Sequence, residues 1–429
     1  LQLAYPDAMI PAPASRNSSA AELGARAFTM LAALNSFTDE PGKLTRLYLS
    51  PSHRAAADHV LAEMRRIGLD ALIDAAGSVQ GRFEGRSAGL PALMIGSHID
   101  TVKDAGAYDG NLGVVAGLLV AEALQPHMAT MPFALEIMAF GDEENVRFPT
   151  NLSTSAALSS GYERAWLDAR DAEGISVREA LIAFGGQPDK VEALKRKDGS
   201  IAGYLELHIE QGPVLEVNSE AVGIVTAINA QVRARVRVAG EAGHAGTVPM
   251  TLRKDALAAA ADMALALEAI ALGQSDAVGT VGVFRPEPGA TNVVPAAVAF
   301  TVDFRAPLDS TVRAMDDAVE ERFHAIARRR GVGVTIDRYS RLAATPMAAN
   351  LQLALERGIA RTGANLAARR IPSGAGHDAM TIARAFPAAM LFVRNEKGIS
   401  HSPLENMTEA DAGIAIKVML ETVLDLMGR

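Results

Sequence analysis

The chain has 429 residues, no cysteine and nine histidines, with 49% hydrophobic residues, 21% charged residues and a net charge of −9. The lack of cysteine excludes a disulfide framework, a thiolate zinc site, an iron–sulfur cluster and a cysteine nucleophile, so any metal must be held by His, Asp and Glu. An acidic chain with scattered basic residues opposes phosphate-backbone binding, so no nucleic-acid partner is expected; Arg328-Arg329-Arg330 reads as a solvated helix end.

Residues 1–20, rich in Pro, Ala and Ser, read as a mobile tail. Helix is predicted around 20–36. Ser50-Pro51-Ser52 opens a second helix, whose Ala55, Val60, Leu61, Met64 and Ile67 form an apolar stripe up to Gly68. Strand-like runs follow at 70–83 and 91–97, then a helix over 111–125 and an apolar strand over 133–140. The stretch 160–200 reads as helical and polar, and a strand follows at 203–209. From 228 the pattern becomes strand 228–239, helix 251–272, strand 276–284, strand 295–305, helix 309–330 and strand 332–339, a split βαβ unit in the order βαββαβ. Helix 349–363, strand 387–394 and helix 409–427 complete the chain. The simplest architecture is an α/β domain over 21–227 and 345–429, interrupted by an inserted α+β domain over 228–344. No stretch reaches about 18 uncharged apolar residues, so no membrane span is expected. No basic-then-apolar leader stands at the start, and cytoplasm is the default compartment.

Five short segments carry chemistry, four of them at or just after the C-terminal end of a predicted strand. Gly96-Ser97-His98-Ile99-Asp100 ends the first apolar strand, and a carboxylate two residues from a histidine can orient its ring. Tyr108-Asp109-Gly110-Asn111 precedes a helix, where Asp109 is either a metal ligand or an N-cap. Phe140-Gly141-Asp142-Glu143-Glu144-Asn145 closes the next strand. Its side chains diverge, so one Glu can bind metal while the other faces substrate; the alternative is a solvated acidic turn. His208 in Leu205-Glu206-Leu207-His208-Ile209-Glu210-Gln211-Gly212-Pro213 and His401 in Gly398-Ile399-Ser400-His401-Ser402-Pro403 complete the set. Strand ends of this kind are where α/β sheets place their sites. Histidines, a bridging Asp and a Glu are what two adjacent metals sharing a hydroxide would need.

The ordered set His98-x-Asp100, Asp109, Glu143-Glu144, His208 and His401 resembles the dinuclear metallo-amidohydrolases related to aminoacylases and zinc exopeptidases. Within them the chain resembles the hydantoinase/carbamoylase branch from about residue 20 to its end. The branch motifs are His208-Ile209-Glu210-Gln211-Gly212-Pro213, Gly240-Glu241-Ala242-Gly243-His244-Ala245-Gly246, Gly289-Ala290-Thr291-Asn292-Val293-Val294-Pro295 and Ser373-Gly374-Ala375-Gly376-His377-Asp378-Ala379. The resemblance implies a phosphorylase/hydrolase-like mixed-sheet catalytic domain and an inserted lid and dimerisation domain. It implies two divalent ions, manganese or zinc first and cobalt or nickel next. His98, Asp109 and His208 would hold one, and Asp109, Glu144 and His401 the other. Glu143 would be the general base and Asp100 would orient His98.

On the substrate side, the resemblance implies that His244, supplied across a homodimer interface, reaches the oxyanion. It implies that Arg305 clamps a carboxylate, a guanidinium fork being suited to that group. Gln211 and Asn292 would bind polar parts of the substrate, and Gly374 and Gly376 would offer backbone N–H donors. His377-Asp378 is either a substrate contact or a helix cap. The segments 44–51, 103–109 and 140–149 look most like those of allantoate amidohydrolases, so a ureido carboxylate such as allantoate is the expected substrate, with N-carbamoyl-L-amino acids second. Asn145 stands where many relatives carry Gly, and Ala156 where they commonly carry Arg.

Overall fold

The computed structural model describes residues 13–429. Helices α1 (Ala20–Asn35) and α2 (Pro51–Arg66) lead into strands β1 (Asp70–Ile73), β2 (Val79–Phe83) and β3 (Ala92–His98). Helix α3 (Asn111–Leu124), strand β4 (Ala134–Phe140), short helices α4 (Ser153–Leu158) and α5 (Val177–Phe184), strand β5 (Ile201–Ile209), helix α6 (Val214–Val217) and strand β6 (Val222–Ile228) follow. Next come strands β7 (Ala230–Ala239) and β8 (Gly243–His244), helix α7 (Ala256–Leu272), and strands β9 (Val278–Glu287), β10 (Val293–Val294) and β11 (Ala297–Ala306). Helix α8 (Asp309–Arg330) and strand β12 (Gly333–Leu342) precede β13 (Thr345–Pro346), α9 (Ala349–Arg361), β14 (Arg369–Ser373), α10 (Asp378–Ile382), β15 (Ala388–Val393) and α11 (Glu409–Leu426).

The described chain forms two compact units. One runs to Thr226 and resumes over Met347–Ile371 and Gly376–Arg429; the other is Ala227–Pro346 with the short stretch Pro372–Ala375. The first unit is built on a mixed sheet in the order β1-β2-β4-β3-β5-β15-β6. Its central pairs β4–β3, β3–β5 and β5–β15 are parallel, so their C-terminal ends lie along one edge. Strands β3 and β4 are buried at every residue, as expected of parallel strands covered on both faces. Helix α3 is likewise buried at all of its positions. The run Asn111–Thr130 is long and apolar enough to cross a membrane, but 72% of its most apolar 18-residue stretch is buried inside the fold, which makes it a core helix.

The second unit contains β7, α7, β9, β11, α8 and β12, the βαββαβ order expected from the sequence. Its antiparallel sheet runs β12-β7-β11-β9, with its own apolar core of Val232, Val236, Phe300, Phe304, Met263 and Phe323. Alternation along β7 and β11 buries one face, the period-two signature of a one-sided sheet.

Local chemistry explains both the agreements and the differences. Ser19 and Glu22 form a capping box at α1, and Ser50 caps α2 ahead of Pro51. The run expected as one strand over 70–83 is a hairpin, because Asp74 Oδ1 accepts the N–H groups of Ala76 and Ser78 and turns the chain. Helix 251–272 begins only at Ala256, where Asp255 supplies the cap after a 3-10 turn over Met250–Leu252. In 160–200 only α5 is α-helical, the rest being 3-10 turns and irregular chain. Of the expected tail, residues 1–12 lie outside the described residues. Ala14 is buried, its N–H donating to Glu122 at 3.0 Å, and Ala20 already belongs to α1.

Candidate metal centre

The parallel register brings the ligand-bearing strand ends together. His98 is paired with Phe140 across β3–β4, and His208 with Phe392 across β5–β15. Beyond those strands come the turn carrying Glu143 and Glu144, and the loop carrying His401. Asp109 enters from the loop before α3. Its N-cap reading fails: the cap position is Gly110, at φ 66°. An added Cβ at Gly110 would lie 2.4–2.5 Å from three atoms of the His98 ring, so this glycine lets the imidazole pack against the helix start.

Asp109 is the hub. Its Oδ1 lies 3.4 Å from His98 Nε2 and 3.1 Å from His208 Nε2. Its Oδ2 lies 3.5 Å from His401 Nε2, which is 3.4 Å from Glu144 Oε2. His98–Asp109–His208, His98–Glu143–Glu144 and Asp109–Glu144–His401 each offer ligand atoms within 4.8 Å of one another. His98 Nδ1 is 3.0 Å from the Asp100 carbonyl and His208 Nδ1 is 2.9 Å from the Ile209 carbonyl. Each Nδ1 therefore carries the hydrogen and each Nε2 presents a lone pair to the hub. Both Nε2 atoms are buried and make no hydrogen bond among the described residues. Two orphaned imidazole nitrogens facing a carboxylate are the donor set of an N/O metal site, and these residues fit one.

The electrostatics point the same way. Burial pushes Glu143 and Glu144 well above the usual carboxylate range, and their neighbours Glu144 and Asp109, respectively, add to it. Burial acts to raise Asp109 too, but the imidazoles of His208 and His98 hold it well below that range. Burial works against protonation of His98, yet Asp109, Glu143, Asp100 and Glu144 raise it well above its ordinary value. So much buried negative charge is costly without a compensating cation.

Asp100 acts differently from the sequence expectation. Its backbone carbonyl, not its carboxylate, holds His98; the carboxylate oxygen is 3.7 Å from Nδ1. The carboxylate instead accepts the N–H groups of Glu143 at 3.3 Å and Glu144 at 3.2 Å and so fixes their turn. That turn contains left-handed residues at Asp142 (φ 62°) and Asn145 (φ 52°), and Gln211 (φ 56°) and His401 (φ 54°) share this conformation. Such clustering of uncommon backbone is usual at functional sites. Asp142 is the structural member of the acidic run: it accepts the Ser153 hydroxyl.

The substrate-side residues fall into three places. In the first unit, Gln211 Nε2 donates to Asp109 Oδ2 at 2.7 Å, so its amide lies on the hub itself. His377 is 1% exposed, with its ring 4.4 Å from that of His208; burial and His208 hold its pKa well below the ordinary value. Its side chain does not cap α10, which removes that alternative, and it packs edge-on against the His208 ring. In the second unit, His244 and Asn292 are neighbours, His244 pairing with Val293 and Ala245 N–H donating to the Asn292 carbonyl at 2.9 Å. Also there, Arg305 is held in a bidentate pair with Asp303, both contacts 2.9 Å, and Nη1 donates to the Gly374 carbonyl at 2.5 Å. An added Cβ at Gly374 or Gly376 would meet nothing within 4 Å, so both stand in open space. Sequence reasoning assigned nothing to Gly110, Ser400 or Glu405. Their only signal was position: Gly110 follows Asp109, Ser400 precedes His401, and Glu405 stands four residues after His401, beyond the segment singled out.

Comparison with known proteins agrees with this geometry. Residues 94–425 match the model of peptidase family M20/M25/M40. The chain is 38% identical over 405 residues to an N-carbamoyl-L-amino acid amidohydrolase of Geobacillus stearothermophilus, covering 94% of this chain and 98% of the relative. It is 37% identical over 425 residues to a probable allantoate deiminase of Oryza sativa subsp. japonica, covering 89% and 85%. A crystal structure of a hydantoinase/carbamoylase family amidase from Burkholderia ambifaria superposes with a TM-score of 0.86 at 36% identity, covering 94% of this chain and 97% of that one. The chain belongs to peptidase family M20/M25/M40, in its hydantoinase/carbamoylase branch, and is a hydrolase of linear C–N amide bonds.

Proposed function

We propose that this protein hydrolyses a ureido C–N bond in a carboxylate-bearing substrate, with allantoate as the substrate and two divalent ions bound. The observation that carries the metal-dependent reading is Asp109, whose two oxygens face separate ligand groups, His98 with His208 and Glu144 with His401. Imidazole and carboxylate ligands suit manganese or zinc, and also cobalt or nickel. When bound, such ions supply Lewis acidity and an activated water at neutral pH. Glu143, whose Oε2 stands 3.9 Å from His98 Nε2 beside the Asp109 cluster, takes a proton from the attacking water and delivers it to the departing nitrogen. Attack at one ureido carbonyl breaks its bond to the substituted nitrogen, leaving ureidoglycine and carbamate, which decomposes to CO2 and ammonia. Arg305, its guanidinium fixed by Asp303, binds the substrate carboxylate, aided by the amides of Gly374 and Gly376. Gln211 and Asn292 bind its polar groups, and His244 donates to the oxyanion.

In this reading His244 comes from a second copy, so the active form is a homodimer. Strand β9 is an edge of its sheet, and Val278, Val283 and Phe284 on it are exposed, as are Leu265 and Leu272 of α7. An apolar edge of this kind is a template for pairing with another chain. The lid and dimerisation role is assigned to the unit carrying it.

The test is ammonia release by manganese-loaded protein given allantoate, N-carbamoyl-L-amino acids or N-carbamoyl-β-alanine. Turnover of allantoate is expected. Silence with allantoate and turnover of a carbamoyl amino acid would transfer the assignment to the second reading, which the Geobacillus stearothermophilus relative favours.

A further inference from the structure

We propose that Glu405 is the positioning residue of the Asp109–Glu144–His401 ion site. The inference rests on the two-ion reading above. Glu405 is 6% exposed, and no Lys or Arg among the described residues pairs with it. A carboxylate so buried must be satisfied by hydrogen bonds, and here they come from the two loops that carry metal ligands. Its Oε1 accepts the N–H groups of Tyr108 at 2.8 Å and of Asp109 itself at 3.2 Å. Its Oε2 lies 3.0 Å from Ser400 Oγ, and that hydroxyl lies 2.6 Å from Asp109 Oδ2. Gly106 closes the contact: a Cβ there would fall 2.2–2.4 Å from atoms of the Glu405 side chain.

Asp109 and His401 are both loop residues, and they stand 292 positions apart in the chain (401 less 109). His401 has a side chain 52% exposed and a left-handed φ of 54°, so little else fixes it. Glu405, four residues further on, is the one carboxylate among the described residues bonded both to the backbone of the Asp109 loop and to the residue before His401. The Ser400 hydroxyl has a single hydrogen. With Asp109 Oδ2 committed to a cation, that hydrogen serves Glu405, so the tie persists in the loaded protein. The His98–His208 side shares Asp109, but its two histidines sit at strand ends, their Nδ1 atoms bonded to the Asp100 and Ile209 carbonyls, and among the described residues neither imidazole bonds to Glu405.

The experiment is calorimetric titration of the chelator-stripped full chain with Mn2+, together with the EPR spectrum of the loaded protein. Wild type should take up two ions and give a spin-coupled pair. Glu405→Ala should bind one ion as wild type does and the other about 10–100-fold more weakly, with the hyperfine pattern of isolated Mn2+. Glu405→Gln should retain both ions, because its amide oxygen still accepts the Tyr108 and Asp109 N–H groups. Glu405→Ala binding both ions like wild type, or losing both equally, overturns the role. If Ala does not fold, Glu405→Met reads the same loss; failure of both to fold assigns Glu405 to the fold and also overturns it. A wild type that binds a single ion rejects the two-ion reading, and this inference with it. Two ions in wild type and two in Glu405→Ala reject only the role of Glu405.

Discussion

Glu143 and Glu144 are adjacent in the chain yet face different tasks, because the Asp100 carboxylate holds both of their N–H groups and fixes the turn between them. Glu144 faces His401, whereas Glu143 Oε2 stands 3.9 Å from His98 Nε2. Replacing Glu143 with Gln should leave metal content unchanged and lower kcat by about 10²–10⁴-fold. Undiminished turnover in that variant would remove Glu143 as the base. Gly110→Ala tests the packing of His98: its methyl must displace the ring, so metal affinity should fall by about tenfold or more in a calorimetric titration. Asn145, expected from the family resemblance to replace a Gly that many relatives carry, takes a left-handed φ of 52° that Asn adopts more readily than most residues. Nothing in the structure explains Ala156 where the family resemblance leads one to expect Arg. His53 illustrates a residue with a structural role only. Burial, with Arg46 and Arg147 nearby, lowers its imidazole to about 3, and its Nδ1 accepts the Leu49 N–H at 3.0 Å. A depressed folded-state pKa stabilises the fold above the unfolded value of 6.5, and this contribution is lost as pH falls toward 3. The stability of wild type relative to His53→Asn should therefore drop by up to about 1.4 kcal/mol per pH unit below that value. Urea melts at several pH values measure this; a pH-independent difference would mean that His53 is not held neutral.

At the scale of elements, the parallel trio β4–β3, β3–β5 and β5–β15 does the assembling. Each strand delivers a residue that could bind metal, or the loop that carries one, at the same sheet edge, so residues from 98 to 401 meet without a continuous sequence motif. The edge strand β9 and the exposed side of α7 have the opposite character: apolar residues that no other described residue covers. Val283→Lys with Leu265→Glu places charges on that surface and should convert the proposed dimer to a monomer, as read by light scattering. Ammonia release should fall with it, since His244 is then missing from each site. A double variant that is monomeric and fully active would refute the cross-subunit role of His244.

At the scale of the whole molecule, ion binding and stability are linked. At a free ion concentration about one hundred times Kd, a single site adds about 2.7 kcal/mol to the folded state. Chelation should therefore lower Tm by several degrees, and readdition of Mn2+ should restore it. Identical melting curves with and without the ion would contradict a folded-state metal site. Much of this molecule was legible in the chain. Period-two and period-3.6 patterns mark the βαββαβ unit and the helices because one-sided burial writes itself into local sequence. The cluster that could hold a metal was legible in part: the lack of cysteine leaves only His, Asp and Glu, and several of these fall at strand ends, while the assignment of His98, Asp109, Glu144, His208 and His401 as ligands is what the family resemblance implies. The hairpin within 70–83 and the irregular course of 160–200 were not, since a single Asp74 turn or a 3-10 run leaves no periodic trace. The sequence by itself determined which residues are able to bind metal and the order in which the chain presents them. Only the tertiary structure decided which atoms meet: that a carbonyl rather than the Asp100 carboxylate holds His98, that His377 backs His208, and that Glu405 ties Asp109 to Ser400. The reason is that such contacts join positions far apart in the chain, and their distances are set by sheet register and packing.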